Sequence, residues 1–299
     1  TVELSEESGS YNASGFSKDN KYFFFITDVD KEFSYLVKYK IETGEKEVLF
    51  ETNWDVMYSY LSENERYRVI AINEDGKNTL FIKDLVNNSD VYFPEIPDGD
   101  IKGVSFSESE EKIRLTIGTS KSPNNIYVYD MGSKELKKLT ETLNPEINAN
   151  DMVAAEVVRY PSFDGLEIPA IYYKPIDATK RNKVPALVWV HGGPGGQSRT
   201  GYSSLIQYLV NHGYAILAVN NRGSSGYGKT FFKMDDLNHG DKDLKDCIWG
   251  KKWLQAQDYI DAENIGIIGG SYGGYMTMAA MTFTPDEFKV GVNIFGVTN

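Results

Sequence analysis

Three segments in the first half of the chain repeat one another at a fixed interval, and this restricts the fold more than any other feature. Phe16-Ser17-Lys18-Asp19, Leu61-Ser62-Glu63-Asn64 and Phe106-Ser107-Glu108-Ser109 share a pattern, and Ser17, Ser62 and Ser107 are spaced 45 apart. At matching offsets each is followed by a strand-like run, Tyr22–Thr27, Tyr67–Ile72 and Lys112–Ile117. A second run and a turn come next: Tyr35–Ile41, Thr79–Leu85 and Asn125–Met131. A strand-only period of about 40–50 residues is the pattern of propeller blades. A β-sandwich with regular hairpins is the alternative. Rings close with about four to eight blades, and three are legible here. Residues 1–151 are therefore expected to form a β-propeller arc of about three blades, cut from a larger ring.

The texture changes after the polar stretch Thr140–Asn150. Ala155–Ser162 and Glu167–Tyr173 flank Asp164-Gly165, a hairpin signal. Beyond it, short apolar strands (Pro185–Val190, Tyr214–Val219, Ile265–Ile268) alternate with helical patterns (Ser203–Asn211, Asp243–Gln257, Tyr272–Thr282). Such alternation predicts a parallel sheet with helices on both faces, here over residues 152–299.

Charge and cysteine content exclude several functions. With 31 basic and 43 acidic residues, the net charge of -12 offers no sustained basic patch for nucleic acid or anionic membranes. No run of 18 apolar residues is present, so no membrane span is expected. Cys247 is the single cysteine, which excludes an intrachain disulfide and a cysteine metal cage. The compartment stays open.

Gly269-Gly270-Ser271-Tyr272-Gly273 is G-x-S-x-G between a buried strand and a helix. A serine on such a turn is forced outward, and the helix N-terminus favours negative charge at the attacking or developing oxygen. Ser271 is thus the candidate nucleophile, with the Tyr272 amide as one oxyanion donor. His191-Gly192-Gly193-Pro194-Gly195-Gly196 follows a strand, as an oxyanion loop does, and the Gly193 amide is the candidate second donor. His191 precedes the serine, so it is expected to shape this loop rather than act as base.

Other motifs are weaker. Gly223–Thr230 matches G-x-x-x-x-G-K-[ST], but Phe231–Gly240 is a poor, acidic helix, which argues against a phosphate loop. Asp241, Asp243 and Asp246 lack the glycine and distal glutamate of a calcium loop and read as acids opening a helix. His212 reads as a helix end, His239 has no obvious partner, and Cys247 reads as a buried, inert thiol.

Together, His191–Gly195, Asn221-Arg222-Gly223-Ser224-Ser225-Gly226-Tyr227-Gly228, Gly269–Gly274 with Tyr275-Met276, and Asp164-Gly165 resemble the prolyl oligopeptidase family of serine peptidases. The likeness is nearest to its acylaminoacyl-peptidase and dipeptidyl-peptidase-like branches. It implies a propeller capping an α/β-hydrolase domain, short peptide substrates and no metal or organic cofactor. His191, Gly192 and Arg222 would then belong to loops beside the site. Family order places the triad acid and histidine after the serine, yet His191, His212 and His239 all precede Ser271, and Asp286 follows it too closely. The domain is accordingly expected to be an incomplete α/β-hydrolase whose triad Asp and His lie beyond Asn299, inactive as written. The alternatives are an esterase or lipase on the same fold, a non-catalytic binding scaffold and, through Gly223–Thr230, a nucleotide-binding protein.

Overall fold

The computed structural model describes residues 9–92, 94 and 99–297. The chain divides into two compact units: Thr1–Gly118 with Asn124–Thr142 and Gly226–Lys229, and Thr119–Pro123 with Leu143–Ser225 and Thr230–Asn299.

The first unit holds three four-stranded antiparallel sheets among its described residues, each a meander in chain order, as in propeller blades. The first sheet is β1 (Tyr11–Phe16), β2 (Tyr22–Thr27), β3 (Tyr35–Lys40) and β4 (Lys46–Phe50). The second is β5 (Asp55–Leu61), β6 (Tyr67–Glu74), β7 (Lys77–Asp84) and β8 (Ser89–Asp90). The third is β9 (Asp100–Phe106), β10 (Lys112–Gly118), β11 (Asn125–Asp130) and β12 (Glu135–Lys138).

The repeat is, physically, a turn between the first two strands of each sheet. Ser17, Ser62 and Ser107 each exchange hydrogen bonds with the residue five places on. The serine amide donates to that residue's carbonyl, and the serine hydroxyl accepts from its amide. Within each turn one residue takes positive φ: Asn20 (56°), Glu65 (58°) and Glu110 (58°). Those glutamates also join successive sheets, since Lys18 N donates to Glu65 Oε1 (2.6 Å) and Asn64 N to Glu110 Oε1 (2.7 Å).

Two of the four strands in each sheet are the runs expected from sequence. The first and fourth strands were not legible, and the outermost β4, β8 and β12 are short and mostly exposed, without an alternating apolar pattern. Neighbouring sheets share cores. Val56, Ile70 and Ile72 pack with Ile26 and Leu36, while Tyr67, Val69 and Ile82 pack with Ile113, Leu115 and Tyr129.

The second unit is built on a mixed six-stranded sheet. β13 (Glu156–Pro161) and β14 (Glu167–Tyr173) form the expected hairpin, with Gly165 at φ 84° in its turn. β15 (Val184–Val190), α1 (Ser204–Asn211), β16 (Ala215–Val219), α2 (Lys229–Phe232), α3 (Lys242–Gln255), β17 (Ile260–Gly270), α4 (Tyr272–Phe283) and β18 (Gly291–Ile294) follow. The strand order is β13-β14-β16-β15-β17-β18, with β16, β15, β17 and β18 parallel.

Alternation along β16 places helices on opposite faces. Ile216 and Ala218 pack with Ile206 and Val210 of α1, while Leu217 faces α3, its Cδ2 3.1 Å from where a Cβ on Gly250 would stand. β17 is longer than the expected Ile265–Ile268, because its polar first half also pairs with β15 through an irregularity at Val184/Ala186. β18 ends the sheet order and has β17 as its partner.

Candidate active site

The turn from β17 into α4 holds Ser271 at φ 55°, ψ −119°, a conformation that L-residues rarely adopt. The surroundings fix it. Ser271 N donates to Ile294 O (3.0 Å), and its carbonyl accepts from Gly274 N (3.0 Å) and Tyr275 N (3.1 Å). The flanking glycines are steric necessities: a Cβ on Gly273 would lie 2.1 Å from Val190 O, and one on Gly269 2.3 Å from Gly273 O. Small neighbours thus let the turn close, and the Ser271 side chain is exposed. Tyr272 is the first residue of α4, where backbone amides lack a partner within the helix.

The glycine loop after β15 lies against this turn. A Cβ on Gly192 would stand 3.3 Å from Ser271 Cβ and 3.8 Å from its Oγ. Gly193 follows with φ 136°, open to glycine and strained for other residues. His191 is buried beneath the loop. Its Nδ1 is 2.8 Å from Gly192 O and its Nε2 is 2.8 Å from Ser224 Oγ, which also lies 2.6 Å from Asn221 O. Burial pushes the His191 pKa down, and its Nδ1–H donates to Gly192 O, while the one Ser224 hydroxyl proton has both Asn221 O and His191 Nε2 within reach.

Among the described residues, none of the three histidines hydrogen-bonds Ser271. His191 is engaged as above. His212 caps the end of α1, its Nδ1 2.8 Å from Tyr208 O. His239, expected to lack a partner, has two neighbours: its Nδ1 lies 3.3 Å from Asp235 Oδ2, and its ring meets that of Tyr272 edge-on at 5.4 Å.

Asp241 precedes α3 and Asp243 lies in its first turn, as expected of acids opening a helix, while Asp246 lies further along it; both Asp243 and Asp246 are fully buried. Asp243 accepts from the Tyr272 hydroxyl (2.5 Å) and from the amides of Gly240 and Leu244 (both 2.8 Å). Burial pushes its carboxyl pKa up against those bonds, and desolvation and the bond to Asp243 raise the half-buried Tyr272 hydroxyl as well. Asp235, His239 and Asp243 bring one donor atom each within 4.8 Å of one another. Both Asp243 oxygens already accept hydrogen bonds, so the trio reads as a network tying α3 to Tyr272. Asp243 and Asp246 share the helix side of Leu244 and Cys247, and that placement was the available clue to their burial.

Arg222 is 3% exposed and wholly engaged. Its Nε and NH2 donate to Asp246 (both 2.9 Å), and its NH1 and NH2 to Asp164 (2.9 and 3.0 Å). Ser162 Oγ donates to Asp246 Oδ1 (2.6 Å). Burial works against the Arg222 charge, but these hydrogen bonds outweigh it and hold the pKa above its ordinary value. The arginine therefore ties its loop to the Asp164-Gly165 hairpin and to α3. In the phosphate-loop-like string, Lys229 Nζ donates to Asp28 O (2.8 Å) and α2 is a single turn, which leaves no helix to hold phosphate. Cys247 is fully buried and its thiol pKa is pushed well up by burial.

Two family profiles match by sequence: "Prolyl oligopeptidase family" over residues 200–299, and "Platelet-activating factor acetylhydrolase, isoform II" over residues 136–249. Dipeptidyl aminopeptidase BIII of Pseudoxanthomonas mexicana is 28% identical over 293 residues, covering 95% of this chain and 42% of that protein. Over residues 200–299 the chain is similar to the prolyl oligopeptidase family. Its relatives include dipeptidyl peptidases and acylamino-acid-releasing enzymes. The crystal structure of the Pyrococcus horikoshii acylaminoacyl peptidase superposes with a TM-score of 0.72 at 26% identity, over 91% of this chain and 42% of that one. A puromycin hydrolase shares the fold, with a TM-score of 0.81 at 18% identity over 94% of this chain and 43% of that one. The chain thus spans about 42% of the length of these family members. Among the described residues, no helix is long and apolar enough to cross a membrane.

Proposed function

We propose that Ser271 is the nucleophile of a serine peptidase acting on short peptides. The observation that carries this reading is the exposed Ser271 at φ 55° on a strand-to-helix turn, with the Gly192 loop against it. The Ser271 hydroxyl attacks the scissile carbonyl and forms an acyl-enzyme that water then hydrolyses. The Tyr272 and Gly193 amides hold the oxyanion, worth about 3 kcal/mol per donor in comparable sites. A histidine takes the serine proton and returns it to the leaving amine, oriented by a carboxylate. Since His191, His212 and His239 are engaged elsewhere, both partners are assigned to sequence after Asn299. No metal or organic cofactor takes part in this scheme.

The 299 residues alone are expected not to react with a fluorophosphonate. A polypeptide that continues with an Asp and then a His is expected to be labelled at Ser271 and to cleave short peptidyl anilides. The acetylhydrolase match over residues 136–249 supports a second reading, an esterase on the same scaffold. Hydrolysis of p-nitrophenyl esters without cleavage of peptidyl anilides would favour it over the peptidase.

A further inference from the structure

Arg68 breaks the internal repeat. The positions 45 residues before and after it hold Phe23 and Ile113, both apolar. Alternation along β6 puts Arg68 on the side of Ile70 and Ile72, which pack against Ile26 and Leu36 of the first sheet. A cation thus occupies a position that the fold otherwise fills with hydrocarbon. It is 5% exposed.

Its partners do not satisfy it. NH1 lies 3.3 Å from Ser59 Oγ, and the guanidinium carbon stands 4.1 Å over the Phe24 ring. A guanidinium carries five N–H donors, and no carboxylate of a described residue lies within ion-pair distance of this one. Glu65 favours its charge from farther away, but Glu65 Oε1 accepts from the Lys18 amide (2.6 Å). Burial pushes the Arg68 pKa down to about 10, so the group is still cationic at neutral pH.

Arg68 lines a cavity of about 530 Å³ between the first two sheets, within the usual range of small-molecule sites. Phe24 and Ile70 line it with Arg68, and three large apolar side chains of the same cavity are exposed, Val48, Phe81 and Leu85. Lys83, exposed at the cavity, makes no ion pair among the described residues, whereas Lys38 is paired with Glu47 at 3.1 Å.

We infer that this cavity binds a small monoanion, a carboxylate carried on an apolar or aromatic body. The guanidinium fork matches a carboxylate in two parallel hydrogen bonds, and the apolar walls receive the body. A dianion such as a phosphate ester is disfavoured, because Glu47, Glu65 and Asp90 also line the cavity and the chain carries a net charge of -12. The site lies within the first unit and does not depend on the role assigned to Ser271.

Isothermal titration of the 299-residue protein with 3-phenylpropanoate and with 3-phenylpropanamide separates charge from shape. The acid is expected to bind at least about tenfold tighter than the amide, and Arg68→Met to abolish that preference. Phe81→Glu places a repelling charge in the cavity at a side chain 38% exposed; with its folding checked by circular dichroism, it is expected to weaken the acid at least about tenfold. Equal binding of acid and amide, no binding of either, or full binding by Phe81→Glu would each overturn the assignment.

Discussion

At the residue scale, the candidate site is defined by atoms that have no room to move. Gly273 is the clearest case, since the obstacle to a side chain there is backbone, Val190 O at 2.1 Å from a Cβ. Gly273→Ala is expected to lower stability in urea by about 1–3 kcal/mol, as over-packing does. Gly165→Ala is the contrast: nothing stands within 4 Å of its Cβ, so its cost comes only from the positive φ and should be near 1 kcal/mol. Arg222 is a charge that cannot be left alone. Arg222→Met would strand Asp246, fully buried, with Ser162 as its remaining side-chain donor, and is expected to cost about 3–5 kcal/mol. Asp246→Asn should cost less, because it leaves no buried anion. Chemical denaturation of both variants checks the ranking, and equal costs would contradict it.

At the element scale, the repeated turn accounts for both what the sequence disclosed and what it concealed. Ser62→Ala deletes the hydroxyl that accepts from Tyr67 N, a bond of 2.9 Å. The variant is expected to lose about 1 kcal/mol, measured by thermal and urea unfolding.

The second sheet also carries an acid-sensitive pair. The Arg66 guanidinium beside Asp84, helped by the amides of Val86 and Asn87, holds the Asp84 carboxyl down at about 2. A carboxyl depressed in the folded state stabilises the fold above its unfolded pKa, and that contribution fades as pH falls through about 2. Carbon-13 carboxyl titration should show Asp84 titrating at higher pH in Arg66→Gln; an unchanged value would contradict the assigned cause.

The inner strands and the serine turn were legible because apolar alternation and turn chemistry are local signals. The outer strands were not, because β4, β8 and β12 bury little and owe their conformation to the neighbour they pair with. The same limit applies to the site. Ser271, Tyr272, His191 and the glycine loop stand in recognisable local strings. The Asp243–Tyr272 and Arg222–Asp164–Asp246 contacts join residues 24 to 58 positions apart, and only the fold brings them together.

At the scale of the whole molecule, the sheet of the second unit ends in β18, where Val290, Val292, Phe295 and Val297 are all more than 40% exposed. An unprotected apolar edge of this kind pairs readily with another copy. The 299-residue protein is expected to self-associate as concentration rises, and Val292→Lys to suppress this in size-exclusion chromatography with light scattering. Concentration-independent monomers would contradict it. In the proposed function, Ser271 is presented for nucleophilic attack by its turn and made reactive by a base that none of the described histidines supplies. Fluorophosphonate labelling with peptide mapping tests it most directly, on the 299 residues and on a polypeptide continuing past Asn299. No label is expected on the first and a single label at Ser271 on the second, lost in Ser271→Ala. Label on another residue, or an unreactive longer polypeptide, would contradict it.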